Sequence, residues 1–335
     1  MKTMKGKRTI RLLGGLALCA AAALLLSAPT QAEAAGKTVI RLGWKAKGEY
    51  APLYLALDKG YYKAAGVNVA VEPGSGANVA IKLIATGKDQ FAYTGGLEIA
   101  QAIGKDIPVR VVANFIKKMP LGVAAHPNIK LDSPKDLEGK TLAVAPADSF
   151  MNILPAFARA HKLNLDAIKV VKLGWGSRVP TFMRGDTNLI TIYLNNDLPV
   201  MEAKMGKKLN TLKTFDWGFS VLGQSLSSSN DYIARNGDTI RKVVRATSRA
   251  FTEALKNPGE AADIMTKRFN TLNRDITIRQ LIITRDLVVS KASKGKPPGW
   301  QTAEDWKRTL DTLERTGGIA KRKELKVYFT NEFMK

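Results

Sequence analysis

The sequence has almost no cysteine and little histidine, and these shortages exclude several kinds of chemistry. Its one cysteine, Cys19, lies in an apolar segment near the N-terminus. Once that segment is removed as a leader, the chain has no thiol and therefore forms no disulfide, thiolate metal site or cysteine nucleophile. The two histidines, His126 and His161, lack the spacing of metal ligands, and no glycine-rich phosphate loop or Gly-x-Ser-x-Gly motif occurs. The sequence predicts a protein without catalytic residues, a metal or a cofactor.

Apolar runs long enough to span a membrane are also missing. The N-terminal run covers residues 12–26, which is shorter than the roughly 20 residues that a spanning helix needs. Basic residues precede this run, and Ala32-Glu33-Ala34 follows it as a small-x-small cleavage site. We interpret residues 1–34 as a signal peptide that is cleaved near Ala34 and Ala35, so the mature protein is expected to be exported.

Acidic residues are scarce beside basic ones. The chain has 29 Asp and Glu against 52 Lys and Arg, and removal of residues 1–34 leaves 28 acidic and 47 basic residues. The basic residues are dispersed through predicted helices, as in Lys242, Arg245 and Arg249, and form no long tract. We interpret them as solvated helix faces and not as a nucleic-acid site. Weak attraction to anionic membranes or anionic solutes remains the alternative.

The residues after the leader repeat one local pattern, in which a short apolar strand leads through a polar or small-residue loop into a helix. Strands are predicted at residues 39–42, 67–71 and 91–93. Pro52 suits the first turn of the first helix, and Gly60 and Gly87 suit the ends of helices. In a parallel sheet the three loops meet at one edge, where helix N-termini offer free N–H groups to a ligand.

Several short motifs recur in an order that is typical of a known family. They are Tyr50-Ala51-Pro52-Leu53-Tyr54, Lys59-Gly60-Tyr61-Tyr62, Gly66, Gly87, the segment from Ser133 to Lys140, Asn257-Pro258 and Glu260-Ala261-Ala262. Through them the chain resembles the periplasmic solute-binding proteins of bacterial ABC importers, in the superfamily that binds nitrate, sulfonates, taurine and thiamine-pyrimidine precursors. The resemblance covers nearly all of the chain after the leader.

The resemblance implies an α/β fold of the type II periplasmic binding protein class. Two α/β lobes would be joined by two crossover strands, expected at Leu121–Ala125 and Phe219–Ser225, with a ligand cleft between the lobes. Residues 35–124 and 223–335 would form the first lobe, the second of these segments being helical. Residues 125–222 would form the second lobe.

The implied function is capture of a small organic solute by closure of the two lobes, the solute being pyrimidine-like, an aromatic acid, or sulfonate- or taurine-like. The implied partners are the separate permease and ATPase chains of an importer, with no nucleic acid, and the protein is expected to be a periplasmic monomer. Two alternatives stay open: a ligand-sensing subunit of a receptor, and an enzyme similar to the pyrimidine-precursor synthases that share this fold. Those synthases use a cysteine-rich motif inside the cell, whereas this chain has no cysteine after its leader.

The loops that follow the predicted strands supply the candidate ligand-binding residues. Aromatic side chains there would hold a flat heterocycle or an aromatic acid, and the small-residue loops would suit an anionic head group such as a sulfonate or nitrate. The candidates are Trp44, Tyr50, Ser75, Gly76, Thr94, Gly95, Phe150, Asn152, Trp175, Arg178, Tyr193 and Asn196.

Three of these candidates also have a purely structural interpretation. Trp44 either stacks on the solute or packs under the helix that begins near Pro52. Trp175 is either an exposed aromatic between two glycines or a core residue, and Arg178 either pairs with a carboxylate or sulfonate or lies in solvent. Asp148, by contrast, is predicted to cap a helix.

Overall fold

Two five-stranded mixed sheets organise the part of the chain that the computed structural model describes, which is residues 36–146 and 148–335. The predicted signal peptide lies outside these residues. In the first sheet the order is β2-β1-β3-β10-β4, with β1 parallel to its two neighbours and β10 antiparallel to both of its own. Its strands are β1 (Thr38–Leu42), β2 (Val69–Glu72), β3 (Phe91–Gly95), β4 (Val109–Asn114) and β10 (Gln224–Ser229).

Three of the helices between these strands follow the predicted loops, namely α1 (Ala51–Asp58), α3 (Ala77–Ala85) and α4 (Gly96–Gly104). The short α2 (Tyr61–Ala64) was not predicted. Pro52 lies in the first turn of α1, where its missing N–H has no intrahelical partner. Gly60 and Gly87 have φ angles of 67° and 73°, so each ends a helix in the left-handed conformation that glycine tolerates best.

The second sheet repeats the strand–loop–helix pattern with the order β7-β6-β8-β5-β9. β6 is parallel to β7 and β8, and β5 is antiparallel to β8 and β9. Its strands are β5 (Leu121–Ala125), β6 (Thr141–Val144), β7 (Lys169–Lys172), β8 (Leu189–Tyr193) and β9 (Asn210–Lys213), and its helices are α5 (Ser149–His161), α6 (Trp175–Met183) and α7 (Asp197–Met205).

The first crossing between the lobes lies earlier than predicted. Leu121–Ala125 is not a crossover segment, because all of it is β5, which pairs with a strand of the second sheet on each side. The chain crosses within residues 115–120, and a lobe boundary after residue 124 would cut β5. The return lies within the predicted Phe219–Ser225, where the N–H of Gly223 donates to the carbonyl of Ile116 over 2.8 Å.

After the return the chain is mostly helical and packs back on the first sheet. The 20-residue α9 buries Ile240, Val243, Val244 and Ala250, which the sequence places on one face, against α1. No helix in residues 36–146 and 148–335 combines the length and apolar character needed to cross a membrane. The helices of this segment are α8 (Asn230–Arg235), α9 (Gly237–Lys256), α10 (Pro258–Arg268), α11 (Arg274–Arg285), α12 (Ala303–Arg315) and α13 (Leu325–Tyr328).

Candidate functional site

The carboxyl ends of the parallel strands of the two sheets face each other at the boundary between the lobes, and we call this boundary the cleft. The lobes touch there through side chains of opposite lobes. The indole rings of Trp44 and Trp175 have centroids 5.6 Å apart, and Ser149 Oγ donates to Glu98 Oε1 over 3.3 Å. The loops that follow β1, β3, β6 and β7 therefore meet at this boundary.

The two tryptophans form the mouth of the cleft. Trp44 follows β1 closely, and Trp175 is the first residue of α6 with 48% of its surface exposed. Their ring planes are inclined by 47°. Trp175 is therefore not a core residue. Trp44 is partly exposed and belongs to none of the three apolar clusters of the described residues, so it does not pack beneath α1.

Glu49 lies at the centre of a buried polar network that joins the lobes. Only 3% of its surface is exposed, and its two carboxylate oxygens accept from Asn195 Nδ2 and Gln224 Nε2, each over 3.2 Å. Asn195 Nδ2 also lies 3.1 Å from Thr284 Oγ1. Burial raises the pKa of Glu49 above 4.5, although nearby Lys47 opposes the shift.

A second carboxyl group, that of Glu98, lies in the first turn of α4. It accepts from Ser149, whose hydroxyl is also 3.1 Å from the hydroxyl of Tyr193. Burial raises the pKa of Glu98 above 4.5, and burial together with the Glu98 carboxyl raises the pKa of Tyr193 well above 10. The predicted residue Tyr193 is thus part of a polar chain across the cleft.

Arg178 is neither in solvent nor free to pair with a solute anion. Its guanidinium is buried in the second lobe, where Nη1 donates to Thr191 Oγ1 over 2.8 Å and also to the Thr191 carbonyl. The carboxylates of Asp148 and Asp197 lie 3.7 and 3.9 Å away. The physical reason is that α6 begins at Trp175, before Arg178, so the arginine lies within the helix and turns toward β8. As predicted, Asp148 caps its helix.

Several buried polar atoms around the cleft have no hydrogen-bond partner within residues 36–146 and 148–335. They are Thr94 Oγ1, Asn195 Oδ1, Asn196 Oδ1, Gln224 Oε1 and Arg178 Nε. Leaving such a group unsatisfied costs about 1–3 kcal/mol, so a cluster of them indicates a place where a polar ligand or water binds. Most of these atoms are hydrogen-bond acceptors, and two of them belong to the predicted residues Thr94 and Asn196.

Phe150 is buried in the core and does not line the cleft as predicted, and the ring of Tyr50 is buried as well. The Tyr50 hydroxyl nevertheless lies beside the Glu49 carboxyl, and burial together with that carboxyl raises its pKa well above 10. Tyr50 is buried in the core of the first lobe and meets Tyr93 edge to face, with ring centroids 5.9 Å apart. Phe150 is fully buried against Phe157. Each ring lies close to a loop at the sheet edge, which is why the sequence predicted it in the site. Each residue, however, lies at the start of a helix, and the orientation of that helix directs the ring into the core.

The remaining candidates lie at the edge of the site. Gly76 and Gly95 precede the first turns of α3 and α4, and Ser75 is exposed beside them. Asn152 is exposed on α5, and no side-chain hydrogen bond within the described residues joins it to the cleft. The structure therefore brings together Trp44, Trp175, Thr94, Tyr193 and Asn196, and leaves the others outside or beneath this group.

Sequence reasoning missed four residues of the polar network, namely Glu49, Glu98, Asn195 and Gln224. An acidic residue in the first turn of a helix is usually a helix-dipole partner, so Glu98 carried no distinguishing signal. Glu49 precedes Tyr50 in the aromatic loop. Its position at a predicted sheet edge was the one feature of the sequence that could have indicated a role in the site.

Comparisons with known proteins show which families and folds this chain resembles. A family model described as NMT1/THI5 like matches residues 47–261. The riboflavin-binding protein RibY of Chloroflexus aurantiacus is 25% identical over 322 residues, which cover 94% of this chain and 91% of that protein. A formylaminopyrimidine-binding protein of Halalkalibacterium halodurans is 22% identical over 313 residues, covering 93% of this chain and 94% of that protein.

One relative is an enzyme. The 4-amino-5-hydroxymethyl-2-methylpyrimidine phosphate synthase of Aspergillus parasiticus is 24% identical over 238 residues, covering 67% of this chain and 68% of that protein. Among solved structures, the periplasmic aliphatic sulphonate binding protein SsuA of Escherichia coli has a TM-score of 0.67 at 16% identity, covering 88% of this chain and 92% of that one. The predicted two-lobed binding-protein fold is thereby confirmed. Because the family model spans more than half of its residues, the chain belongs to the NMT1/THI5-like family.

Proposed function

We propose that this protein is the extracytoplasmic solute-binding component of an ABC importer, which captures a small organic solute by lobe closure and delivers it to a permease. The observation that carries the proposal is the boundary between the lobes, where unpartnered polar atoms lie near a contact between two tryptophans of opposite lobes. Such a site between two lobes is suited to enclosing a small ligand. We further propose that it acts as a periplasmic monomer.

The charges of the cleft argue against an anionic solute. Glu49 and Glu98 lie on the first lobe and Asp148 on the second, while the Arg178 guanidinium already has Asp148 and a second carboxylate beside it. An entering sulfonate, nitrate or carboxylate would meet these carboxylates in a region of low dielectric, where like charges repel strongly. Of the solute classes implied by the sequence, the sulfonate-like and aromatic-acid classes are therefore disfavoured.

A flat heterocycle with N–H groups fits the same cleft. The unpartnered oxygens of Asn195, Asn196 and Gln224 are acceptors, which N–H donors of a solute would satisfy. A planar ring sandwiched between two indoles needs ring planes about 7 Å apart, since each contact spans about 3.5 Å. The present 5.6 Å centroid separation would widen slightly to admit it. The names of the riboflavin- and formylaminopyrimidine-binding relatives support this solute class.

A thermal-shift screen of the exported protein tests the proposal. We expect riboflavin or a substituted aminopyrimidine to raise the melting temperature, because a ligand at 100 times its Kd stabilises the folded state by about 2.7 kcal/mol. Taurine, an alkanesulfonate and nitrate serve as the anionic comparison and should produce no shift. Stabilisation by the anions alone would contradict the proposed solute class, and no stabilisation by any small organic solute would contradict the proposed function.

An enzyme is the second candidate, because one relative of this chain is a pyrimidine phosphate synthase. Binding and catalysis differ in whether the solute is recovered. Mass spectrometry of a bound solute after prolonged incubation is expected to return it unchanged, and a product at stoichiometric yield or more would favour the enzyme. A receptor subunit would bind the solute in the same way, and adjacent genes for a permease and an ATPase would favour transport.

A further inference from the structure

One helix of the first lobe reaches across to the second lobe beside the cleft. This helix, α11, packs against α10 and against the short helical turn Gly48–Tyr50, both of the first lobe. Three of its side chains nevertheless contact residues of the second lobe, namely Arg279, Gln280 and Thr284. We call these three residues the clasp.

Gln280 holds one cleft loop from each lobe. Its Oε1 accepts from the N–H of Gly48 over 3.0 Å, and its Nε2 donates to the carbonyl of Asn196 over 2.9 Å. The side chain is buried, and a Cβ at position 48 would lie 2.4 Å from Gln280 Oε1. Only glycine at this position leaves room for the amide, so the loop and the glutamine fit each other closely.

The other two clasp residues extend this contact on both sides. Thr284 Oγ1 meets the same amide of Asn195 that donates to Glu49. Arg279 forms an ion pair with Glu202 of α7, whose carboxylate is buried and also accepts from the N–H of Leu209 over 3.1 Å. Lys208 of the second lobe also pairs with this carboxylate over 3.1 Å, so parting of the lobes would remove one of its two cationic partners and is opposed to that extent.

From these contacts we infer that the clasp sets the balance between the closed and open lobes, and that Arg279, Gln280 and Thr284 are positioning residues that tune affinity without touching the solute. The inference rests on the proposed function of the cleft. In a two-state equilibrium the apparent Kd is the intrinsic Kd divided by the binding-competent fraction. Contacts that are made only when the lobes are closed therefore change affinity from outside the ligand's own surface.

Pulsed electron resonance between two spin labels measures the balance without any solute. The exported chain has no cysteine, so Lys82→Cys on the first lobe and Lys172→Cys on the second, both exposed, accept labels specifically. Gln280→Glu keeps the acceptor for Gly48 but places a carboxylate oxygen against the carbonyl of Asn196. We expect it to raise the ratio of long to short label distances about 5- to 30-fold.

Arg279→Ala and the nearly isosteric Thr284→Val are expected to shift the distances in the same direction by smaller factors. They also keep the test decisive if the buried glutamine variant fails to fold. Ile282→Ala, an exposed change on the same helix, is the matched control and should leave the distances as in the parent protein. Unchanged distances in folded variants of all three clasp residues would overturn the inference.

The outcome is independent of the solute screen. Shifted distances together with a failed screen would overturn the proposed function and leave the clasp as a property of the lobes. Unshifted distances together with a bound solute would overturn the clasp alone. If riboflavin binds, it serves as the probe, and Gln280→Glu is expected to raise its apparent Kd by the same factor as the ratio of long to short label distances. If Gln280 had only a local structural role, these two factors would differ.

Discussion

At the scale of single residues, the carboxyl groups of the cleft are held where burial opposes their charge. Glu98 has a raised pKa, so the folded protein holds its proton to higher pH than the unfolded chain does. Its contribution to stability is therefore present at low pH and is lost as the pH rises through the folded-state pKa. A carboxyl group whose charged form is disfavoured by burial is expected to be used in binding.

Glu98→Gln tests whether the buried carboxyl group contributes to binding at the expense of stability. The amide oxygen can still accept from Ser149, so we expect the melting temperature without solute to be unchanged or higher at neutral pH. Affinity for an N–H-donating solute should fall about 10- to 100-fold, since hydrogen bonds to charged groups contribute about 1.5–3 kcal/mol. Calorimetry and thermal unfolding at pH 7.5 measure both, with Glu304→Gln, in the first turn of α12, as the control. A loss of stability without a loss of affinity would contradict the assignment.

Trp44 gives a separate residue-scale prediction. If it stacks on the solute, Trp44→Ala should weaken binding by roughly 1–3 kcal/mol and leave the melting temperature of the solute-free protein nearly unchanged. Trp44→Phe keeps an aromatic face and should retain most of the affinity. Titration calorimetry and thermal unfolding measure the two quantities, and the loss of about 3–5 kcal/mol of stability that truncation of a core tryptophan causes is not expected. Unchanged affinity for an identified solute would remove Trp44 from the site.

Lys117 at the first crossing should make stability depend on pH. Its ammonium group donates to the carbonyl of Asn114 over 2.7 Å and to that of Trp300, yet burial lowers its pKa to about 7, with Asp305 opposing the shift. The unfolded chain then binds more protons than the folded protein between about pH 7 and the ordinary lysine pKa of about 10.4. Stability from this group therefore rises with pH across that window.

Lys117→Met removes the titration. We expect the stability of the parent protein relative to this variant to rise by up to about 1.4 kcal/mol per pH unit between pH 7 and 10. Urea unfolding at several pH values measures the difference. Lys118→Met, at the partly exposed neighbouring position, is the matched control for the same change of side chain. A difference between the parent protein and Lys117→Met that does not vary with pH would indicate that the buried lysine stays protonated.

At the scale of elements, β1 and the loop that follows β2 approach each other closely. A Cβ on Gly74 would lie 1.8 Å from the carbonyl oxygen of Leu42, so no larger residue fits without moving backbone. We expect Gly74→Ala to destabilise the protein by at least about 1–3 kcal/mol. Gly176→Ala, within α6 and with nothing near its added Cβ, should be neutral or stabilising. Equal melting temperatures for the two variants would contradict the packing described here.

Secondary-structure elements were predictable where proline or glycine marks the start or end of a helix. Pro52, Gly60 and Gly87 mark helix boundaries that depend only on backbone chemistry, and the structure confirms them. Leu121–Ala125 carries no such mark, since its small apolar residues suit a crossover as well as a central strand. Its assignment to the second sheet depends on pairing with strands that lie far along the chain.

The site was predictable only in part, for a related reason. The strand-end rule located the loops that hold Trp44, Thr94 and Asn196. The rule does not predict how each helix is rotated about its own axis, and this rotation decides that the rings of Tyr50 and Phe150 are buried. The Glu49 network joins residues that are more than 140 positions apart, so no local pattern indicated it.

At the scale of the whole molecule, the proposed function requires export. Expression of the full sequence in a Gram-negative host is expected to yield periplasmic protein whose intact mass corresponds to a chain that begins near Ala35. The reason is the basic segment, apolar run and Ala32-Glu33-Ala34 site at the N-terminus. A variant with Ala32 and Ala34 replaced by arginine should remain unprocessed. Recovery of the full-length parent chain from the cytoplasm would contradict the prediction.

The contact between Trp44 and Trp175 also gives the molecule an optical property. Two indoles in van der Waals range from opposite lobes couple electronically, so their near-ultraviolet circular dichroism and emission should change whenever the lobes part or a ring enters between them. The other three tryptophans, Trp217, Trp300 and Trp306, lie outside this contact and supply a constant background. Rapid-mixing fluorescence could therefore time the capture and release of a solute on the unlabelled natural chain.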